Sequence, residues 1–371
     1  MKTTIAFTGD IAFSKYFADS WQREDLMDQE IVDFLSSSDH VAANIEAPVT
    51  DGAFTGKAGS LTHVNSPKVL GWLKRLNTDI WTLANNHVMD CGKEGLEDTL
   101  RIAAENGIRT VGAGFNEEEA ARPVELPECG GIGIMSVVYH KDFLKAGPDK
   151  PGCITYDEPE KIAGHIRDIK SRNRWCILIV HGGEEFASMP LPYVRKMYHQ
   201  FLDYGADIII SHHSHTVQNY EILGDKVIFY SLGNFVFDTD YQRRQKHTEY
   251  GELVRLHITE DKITWDHLST RVDREAGRIS VCEPTAIFTD IPEKLFRLVW
   301  PLGCWNYVLT DRIASIYLNE YKKDFNWYQW IKNDIGWFGH DIAMELLRGR
   351  LLYRLGYWRL ADRKLTDYLR Q

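Results

Sequence analysis

Three histidines stand close together in this chain, directly after a short apolar segment. The segment covers residues 207–211 and contains three consecutive isoleucines, which is typical of a strand buried on both faces. His212, His213 and His215 therefore lie where such a strand ends, and in open α/β sheets ligands bind at that carboxyl edge. Because imidazole binds Zn, Mn, Fe, Co and Ni, the pattern indicates a metal site.

Five other predicted strands also end in polar residues. Taken singly, these residues have ordinary roles: Asp10 suits a helix N-cap, Glu46 a surface carboxylate and His181 a hydrogen-bonded core histidine. Taken together, they meet at one edge if the strands share a sheet, which predicts a metal or phosphate site there. The six strand ends are Gly9-Asp10, Asn44-Ile45-Glu46, Asn85-Asn86-His87, His181-Gly182-Gly183-Glu184-Glu185, His212-His213-Ser214-His215 and Gly233-Asn234.

The mixture of donors indicates which metals suit the site. Carboxylates, neutral imidazoles and an amide oxygen bind Mn, Zn or Fe, and a structural zinc site is disfavoured because no thiolate is present in the cluster. Either one ion or two ions would fit, and two ions about 3.5–4 Å apart, bridged by a carboxylate, would clamp an oxyanion and activate water. Glu46 is the natural bridging carboxylate, and His87 is the candidate for protonating a leaving oxygen.

Strand-like segments alternate with helix-like segments as far as about residue 260, which predicts an α/β fold. Predicted strands cover residues 4–8, 40–45, 79–83, 110–112, 133–138, 176–180, 207–211 and 226–231. Predicted helices cover residues 66–76, 92–106, 158–171 and 192–204. Segments 252–259 and 262–268 are expected to form an antiparallel hairpin.

The character of the sequence changes at about residue 285. Strand patterns disappear, and six of the eleven tryptophans lie beyond this point. We therefore expect a main domain over residues 1–275 and a helical, aromatic-rich C-terminal extension over residues 285–371. Residues 345–371 carry seven basic and three acidic side chains, with leucines at helical spacing among them. Such a segment would suit a partner protein, a membrane surface, or packing on the acidic main domain.

The bulk composition excludes several classes of function. With a net charge of −10 over 371 residues, the chain lacks the basic surface that nucleic-acid binding requires. It contains no apolar run long enough to span a bilayer, and its N-terminus shows no signal-peptide pattern. The six cysteines are scattered, which is typical of reduced thiols. A cytoplasmic location is therefore expected, with peripheral membrane contact as an alternative.

Seven short stretches resemble the CapA family, also called the poly-gamma-glutamate (capsule) biosynthesis protein family, which belongs to the calcineurin-like metallophosphoesterases. They follow the family's order over roughly residues 4–240. The resemblance implies a four-layer αββα metallo-dependent phosphatase-like sandwich for residues 1–275. The stretches are Thr8-Gly9-Asp10, Asn44-Ile45-Glu46-Ala47-Pro48, Leu83-Ala84-Asn85-Asn86-His87, Val111-Gly112-Ala113-Gly114, His181-Gly182-Gly183-Glu184-Glu185, Ser211-His212-His213-Ser214-His215 and Tyr230-Ser231-Leu232-Gly233-Asn234-Phe235.

The resemblance also implies roles for individual residues. His87 resembles the family's substrate-contacting histidine, and Glu46 stands at the position of the bridging carboxylate. The metal-ligand positions are matched by Asp10, Glu46, Asn86, His181, His213 and His215.

Three features depart from the family pattern. Ala12 stands two residues after Asp10, so the histidine of the usual Asp-x-His pair is missing and one metal position loses a ligand. Gly182 stands where relatives often have tryptophan, which would widen the pocket. Ser211 and Ser214 replace the glycine before the histidine pair and the proline within it.

These patterns lead to three functional hypotheses. The first is a metal-dependent hydrolase that acts on a phosphoester or on a capsule or poly-gamma-glutamate-type polymer. The second keeps the site but acts on an amide or in polymer export, with Glu184 or Glu185 as acid or base. The third is a non-catalytic or weakly catalytic subunit that works with polymer-synthase partner proteins. Glu185 is assigned a catalytic role beside His87. Side chains expected to contact an anionic substrate are Asn44, Lys57, Glu184, His212 and Asn234, with Lys15 as a further candidate.

Overall fold

Two β-sheets face each other, and helices cover the outer face of each, in the computed structural model, which describes residues 2–52, 62–139, 141–187 and 189–291. The strands in these ranges are β1 (Lys2–Ile11), β2 (His40–Ile45), β3 (Thr78–Thr82), β4 (Arg109–Val111), β5 (Ala113–Gly114), β6 (Val124–Leu126), β7 (Ile132–Val138), β8 (Gly152–Cys153), β9 (Trp175–His181), β10 (Ile208–His212), β11 (Tyr220–Leu223), β12 (Lys226–Phe229), β13 (Asn234–Val236), β14 (Tyr250–Thr259), β15 (Ile263–Asp273) and β16 (Arg278–Val281). The α-helices are α1 (Gln29–Ser36), α2 (Leu70–Arg75), α3 (Gly92–Glu105), α4 (Glu117–Ala120), α5 (Pro159–Arg172), α6 (Pro192–Tyr204) and α7 (Asp240–Arg243).

The two sheets differ in the order and direction of their strands. The first has the order β16-β15-β14-β1-β2-β3-β4, with β13 also paired to β1. Strands β1 to β4 are parallel to one another. Strand β14 pairs with β1, β15 with β14 and β16 with β15, and all three of these pairs are antiparallel. The second sheet has the order β11-β12-β10-β9-β7-β6, and β7, β9, β10 and β12 are parallel. Strands β5 and β8 form a small separate pair.

Side-chain alternation along the strands builds the inner layer. On β1, Ile5 and Phe7 point towards the second sheet, and Ala6 points to the opposite face. On β10, Ile208 and Ile210 meet the first sheet, whereas Ile209 packs under helices. The strands of both sheets therefore carry apolar residues on both faces, which explains their continuous apolar runs.

Amphipathic helices form the two outer layers. Helix α5 places Ile162, Ile166 and Ile169 on one face at intervals of three and four residues, against the outer face of the second sheet. Helix α6 adds Tyr198 and Phe201 to the same layer. Residues of α1, α2 and α3 cover the first sheet in the same way. The expected αββα sandwich is therefore confirmed, with the alternating segments divided between two sheets.

The predicted elements agree with the structure in position and mostly in length. Helix α6 has the predicted bounds, whereas the predicted helix over 66–76 is divided into a short 3₁₀ turn, Pro67–Val69, and α2. The first sheet extends past residue 275, because β16 pairs with β15. Phe288 packs between the sheets against Phe229. The C-terminal extension beyond residue 291 lies outside the described residues.

None of the helices within the described ranges combines the length and apolarity that a bilayer crossing needs.

Candidate metal centre

The carboxyl ends of the central strands of both sheets meet at one end of the sandwich. In the first sheet, Asp10 of β1 stands opposite Asn44 of β2 and Asn234 of β13. In the second sheet, His212 of β10 stands opposite His181 of β9. The parallel strands thus present their polar residues at one end of the sandwich, although they belong to two sheets and not to the single sheet on which the sequence prediction is conditioned.

Asp10, Glu46 and His215 form a first buried triad. Each offers a ligand atom, and these atoms all lie within 4.8 Å of one another. Oδ2 of Asp10 lies 3.3 Å from Nδ1 of His215, and Oε1 of Glu46 lies 3.9 Å from Nε2 of the same ring. Asp10 comes from the first sheet and His215 from the loop after β10, so the triad spans the two sheets.

Glu46, His181 and His213 form a second buried triad with the same spacing limit. Nε2 of His181 lies 3.5 Å from Oε1 of Glu46 and 2.6 Å from Oδ1 of Asn86. Asn86 therefore adds its amide oxygen to this set. Because Glu46 belongs to both triads, its carboxylate stands where a bridging ligand would be.

The residues present fit a divalent cation. Oδ2 of Asp10, both carboxylate oxygens of Glu46 and Nδ1 of His213 are buried without a hydrogen-bond partner. Buried polar atoms are nearly always satisfied, and leaving one unpaired costs roughly 1–3 kcal/mol. A cation would satisfy these atoms together, and the carboxylate, imidazole and amide donors suit Mn, Zn or Fe.

The pKa values of the two buried carboxyl groups are shifted in opposite directions. Burial raises the pKa of Asp10, but the close contact with His215 and the charges of the nearby imidazoles outweigh it, so its pKa lies well below the usual range. Burial and the neighbouring Asp10 charge raise the pKa of Glu46 well above the usual range. Glu46 therefore ionises less readily than Asp10, and a bound cation would favour the ionised form of Glu46.

The histidines are held in the form that binds metals. Burial is the main cause that lowers the pKa values of His181 and His213, so both rings are neutral. His213 and His215 have φ values of 93° and 54°, a left-handed conformation that non-glycine residues adopt rarely and at a cost. Strained backbone of this kind is found at functional sites, where the surrounding packing maintains it.

His87 lies beside the triads with its ring fixed. Its Nδ1 hydrogen-bonds Oδ2 of Asp90 at 2.7 Å. The same carboxylate oxygen accepts from the backbone N–H of His63 at 2.8 Å, and the His63 ring meets the His87 ring edge-on at 4.4 Å between centroids. Burial lowers the pKa of His63 to about 3, so it packs as a neutral ring. No sequence pattern marks His63, because it ends no predicted strand.

Three of the expected substrate-binding residues make contacts within the site. The Nδ2 group of Asn44 donates to Oδ1 of Asp10 at 2.7 Å. Oδ1 of Asn234 hydrogen-bonds Nδ1 of His215 at 3.0 Å. Nε2 of His212 hydrogen-bonds the carbonyl oxygen of Thr8 at 2.9 Å, which ties β10 to β1. These contacts orient the ligand residues, and substrate contact by the three side chains stays a prediction.

The loop after β9 carries the two glutamates of the amide-cleavage hypothesis. Glu184 accepts a hydrogen bond from the Tyr193 hydroxyl at 3.1 Å. The charge of Glu185 adds to the causes that raise the pKa of Glu46, which puts Glu185 near the centre. Catalytic roles for both stay predictions, and Lys57 lies outside the described residues.

Other side chains fill the space beside Ala12 and Gly182, the two small residues that depart from the family pattern. Ala12 is buried in a cluster with Ala47 and Phe237, and the Phe237 ring stacks on His215 at 4.9 Å. A Cβ atom on Gly182 would lie 2.2 Å from the Tyr156 hydroxyl oxygen. The expectation that Gly182 widens the pocket is therefore wrong, because Tyr156 fills the space.

The chain is thus an αββα sandwich that carries two carboxylate–imidazole triads at its strand ends. It belongs to the family described as bacterial capsule synthesis protein PGA_cap, whose model matches residues 4–239.

Curated relatives agree with this assignment. The protein named PGA biosynthesis protein CapA of Bacillus subtilis (strain 168) is 32% identical over 262 residues, which cover 69% of this chain and 67% of the relative. The capsule biosynthesis protein CapA of Bacillus anthracis is 29% identical over 272 residues, or 70% of this chain and 65% of the relative. A probable polyglutamine synthesis accessory protein of Mycobacterium tuberculosis is 28% identical over 235 residues, covering 60% and 61%. The chain thus spans about two thirds of the length of these relatives.

Solved structures with similar coordinates are more distant. A hypothetical protein from Thermus thermophilus superposes over 72% of this chain and 99% of its own, with a TM-score of 0.42 and 11% identity. The 5'-nucleotidase from Candida albicans superposes over 71% of this chain and 51% of its own, with a TM-score of 0.39 and 10% identity.

Proposed function

We propose that this chain is a divalent-metal-dependent hydrolase that cleaves a phosphoester during the synthesis of capsule or poly-gamma-glutamate-type polymers. The observation that carries the proposal is the pair of buried triads that share Glu46 and have unpartnered oxygens. The polymer class follows from the family description and from the names of the two Bacillus relatives.

Each triad supports a separate cation position. Asp10, Glu46 and His215 would hold one cation, and Glu46, Asn86, His181 and His213 would hold the other. The first position has fewer protein donors, because Ala12 supplies none. The chemistry that such cations supply when bound is Lewis acidity towards a phosphoryl oxygen and activation of water.

We assign protonation of the leaving oxygen to His87. The hydrogen bond from its Nδ1 to Asp90 fixes the ring plane and leaves Nε2 as the atom that exchanges a proton. In the proposed reaction, Nε2 of His87 delivers that proton to the leaving oxygen. The negative charge that develops on the leaving group is thereby neutralised as the bond breaks.

The test compares metal content with turnover in the same preparations. Bound metal and hydrolysis of p-nitrophenyl phosphate are measured for wild-type protein and for the double variant His213→Ala with His215→Ala. The control is His247→Ala, which removes an exposed imidazole. We expect near-stoichiometric Mn, Zn or Fe and metal-dependent turnover in wild type and control, and neither in the double variant. Metal-replete wild-type protein that turns over no phosphoester would refute the hydrolase.

A second candidate is an accessory subunit that binds metal and polymer without turnover. The name of the Mycobacterium tuberculosis relative favours it, and so does the lost ligand position at Ala12. It predicts a metal-replete protein that is inactive alone and co-purifies with a polymer synthase. Amide cleavage by Glu184 or Glu185 is tested by incubation with poly-gamma-glutamate, where an unchanged chain length would rule it out. The cytoplasmic location is tested by cell fractionation.

A further inference from the structure

The segment after β7 places an aromatic ring and a lysine beside the metal centre. Strand β7 is parallel to β9, with Val138 opposite His181. The backbone N–H of Tyr139 donates to the carbonyl oxygen of His181 at 3.1 Å, so Tyr139 lies beside the second triad. The sequence patterns assign no role to this strand end.

The Tyr139 ring connects the metal centre to a positive charge. It packs on the His213 ring with the centroids 4.7 Å apart, and Nζ of Lys141 lies 5.1 Å from the centroid of the same tyrosine ring. The face of an aromatic ring attracts a cation at this distance. Tyr139 therefore contacts both a candidate metal ligand and the ammonium group of Lys141.

The positive charge of Lys141 lies at the protein surface. Lys141 is exposed, and it forms no ion pair with any carboxylate in the part of the chain that the structure describes. Lys145, in the same turn, differs: its Nζ lies 2.9 Å from Oδ2 of Asp157 and also pairs with Glu158. Most exposed lysines are only solvated, but Lys141 is held over a ring that contacts a candidate ligand.

We propose that Tyr139 and Lys141 form a subsite for an anionic group of the substrate other than the group that reacts. The inference rests on the proposed function, because it takes the His213 side of the triads as the place of reaction. The reacting group belongs at the triads, whereas Lys141 contacts the Tyr139 ring and is not part of either triad. The ammonium therefore meets a neighbouring anionic group, and the preferred substrate carries anionic groups in series.

The test measures binding rather than turnover. A fluorescein-labelled glutamate decamer is titrated with metal-loaded protein by fluorescence anisotropy, and unlabelled glutamate decamer and inorganic tripolyphosphate are used as competitors. The variant Lys141→Met is compared with wild type and with Lys145→Met, which removes the same charge from the same turn. We expect Lys141→Met to weaken binding of the decamer, of tripolyphosphate, or of both by about fivefold or more, as befits one lost charge contact. Lys145→Met should stay within about twofold of wild type.

The two competitors also identify the chemistry of the subsite. If tripolyphosphate competes better than the decamer, the subsite takes phosphate groups; the opposite order assigns carboxylates. Equal affinities of Lys141→Met and wild type would overturn the proposal, as would equal losses in both variants or no binding of either oligoanion by wild type. Metal-replete wild-type protein that turns over no phosphoester, with the Lys141→Met binding loss intact, would refute the phosphoesterase and leave the subsite standing.

Discussion

Nε2 of His181 lies 3.5 Å from Oε1 of Glu46, and these two atoms come from different sheets. Glu46 follows β2 in the first sheet, whereas His181 ends β9 in the second. The metal centre consequently exists only when the two sheets are packed against each other. A cation bound there binds the folded chain and not the unfolded one, so metal affinity and stability are linked.

The first prediction concerns this linkage. A cation present at 100 times its dissociation constant should raise the free energy of unfolding of wild-type protein by about 2.7 kcal/mol. Glu46→Gln should lose most of this gain because Glu46 belongs to both triads. In chelator the variant should be at least as stable as wild type, since it removes a buried carboxyl that has no partner. Chemical denaturation with and without metal measures both quantities, and equal metal-induced gains in the two proteins would contradict the bridging role.

The second prediction concerns the proton that His87 transfers. Asp90→Asn keeps a side chain of similar size but weakens the hydrogen bond that fixes the His87 ring. Metal content should therefore stay unchanged while kcat falls by roughly 10- to 100-fold. The loss should be greater for phenyl phosphate than for p-nitrophenyl phosphate, because a good leaving group needs less protonation. His87→Gln should show the same dependence on the leaving group. Equal losses on the two substrates would indicate a structural role for the pair.

The sequence predicts which residue types meet at the site better than it predicts how they meet. Asp10, Glu46, His181 and the histidine pair are identifiable because each ends a buried parallel strand, and parallel strands share one edge. The division of the strands into two sheets is not identifiable, because an apolar run has the same form in either sheet. Its consequence, that Glu46 reaches His181 across the interface, depends on long-range packing.

Residues that act through contacts with distant parts of the chain also escape sequence patterns. His63 reaches Asp90 across 27 positions, from a loop without periodicity. Tyr139 follows a predicted strand but is not of a metal-ligand type. Tyr156 fills the space at Gly182, and neither residue alone indicates the contact. Only tertiary structure reveals these three relationships.

The third prediction concerns acid stability away from the metal centre. Burial alone raises the pKa of Glu221, but hydrogen bonds with His199, Arg195 and Tyr230 outweigh it and lower the pKa to about 2. A carboxylate with a lowered pKa stabilises the fold above its unfolded value of about 4.3, and this contribution is lost as the pH falls towards 2. Glu221→Gln should therefore cost roughly 2–3 kcal/mol at pH 7 and little at pH 2.

Urea denaturation between pH 2 and pH 7 tests this dependence. Glu24→Gln serves as the control, because Glu24 is exposed. Its stability should follow the wild-type curve, and the curve of Glu221→Gln should be flatter between pH 4.5 and pH 2. A constant difference between Glu221→Gln and wild type across this range would mean that the loss comes from packing rather than from proton linkage.

The fourth prediction concerns the contact between Tyr156 and Gly182. A Cβ atom on Gly182 would lie 2.2 Å from the Tyr156 hydroxyl oxygen and 3.0 Å from its Cζ atom, so Gly182→Ala should destabilise by about 1–3 kcal/mol through overpacking. In a Tyr156→Phe background the cost should be smaller, because the closest atom is gone. Gly164→Ala on α5 is the control, since no atom lies within 4 Å of its Cβ position. We expect that control to be neutral or stabilising, as for glycine replaced in a helix. If the cost of Gly182→Ala is the same with and without the Tyr156 hydroxyl, the clash is not its cause.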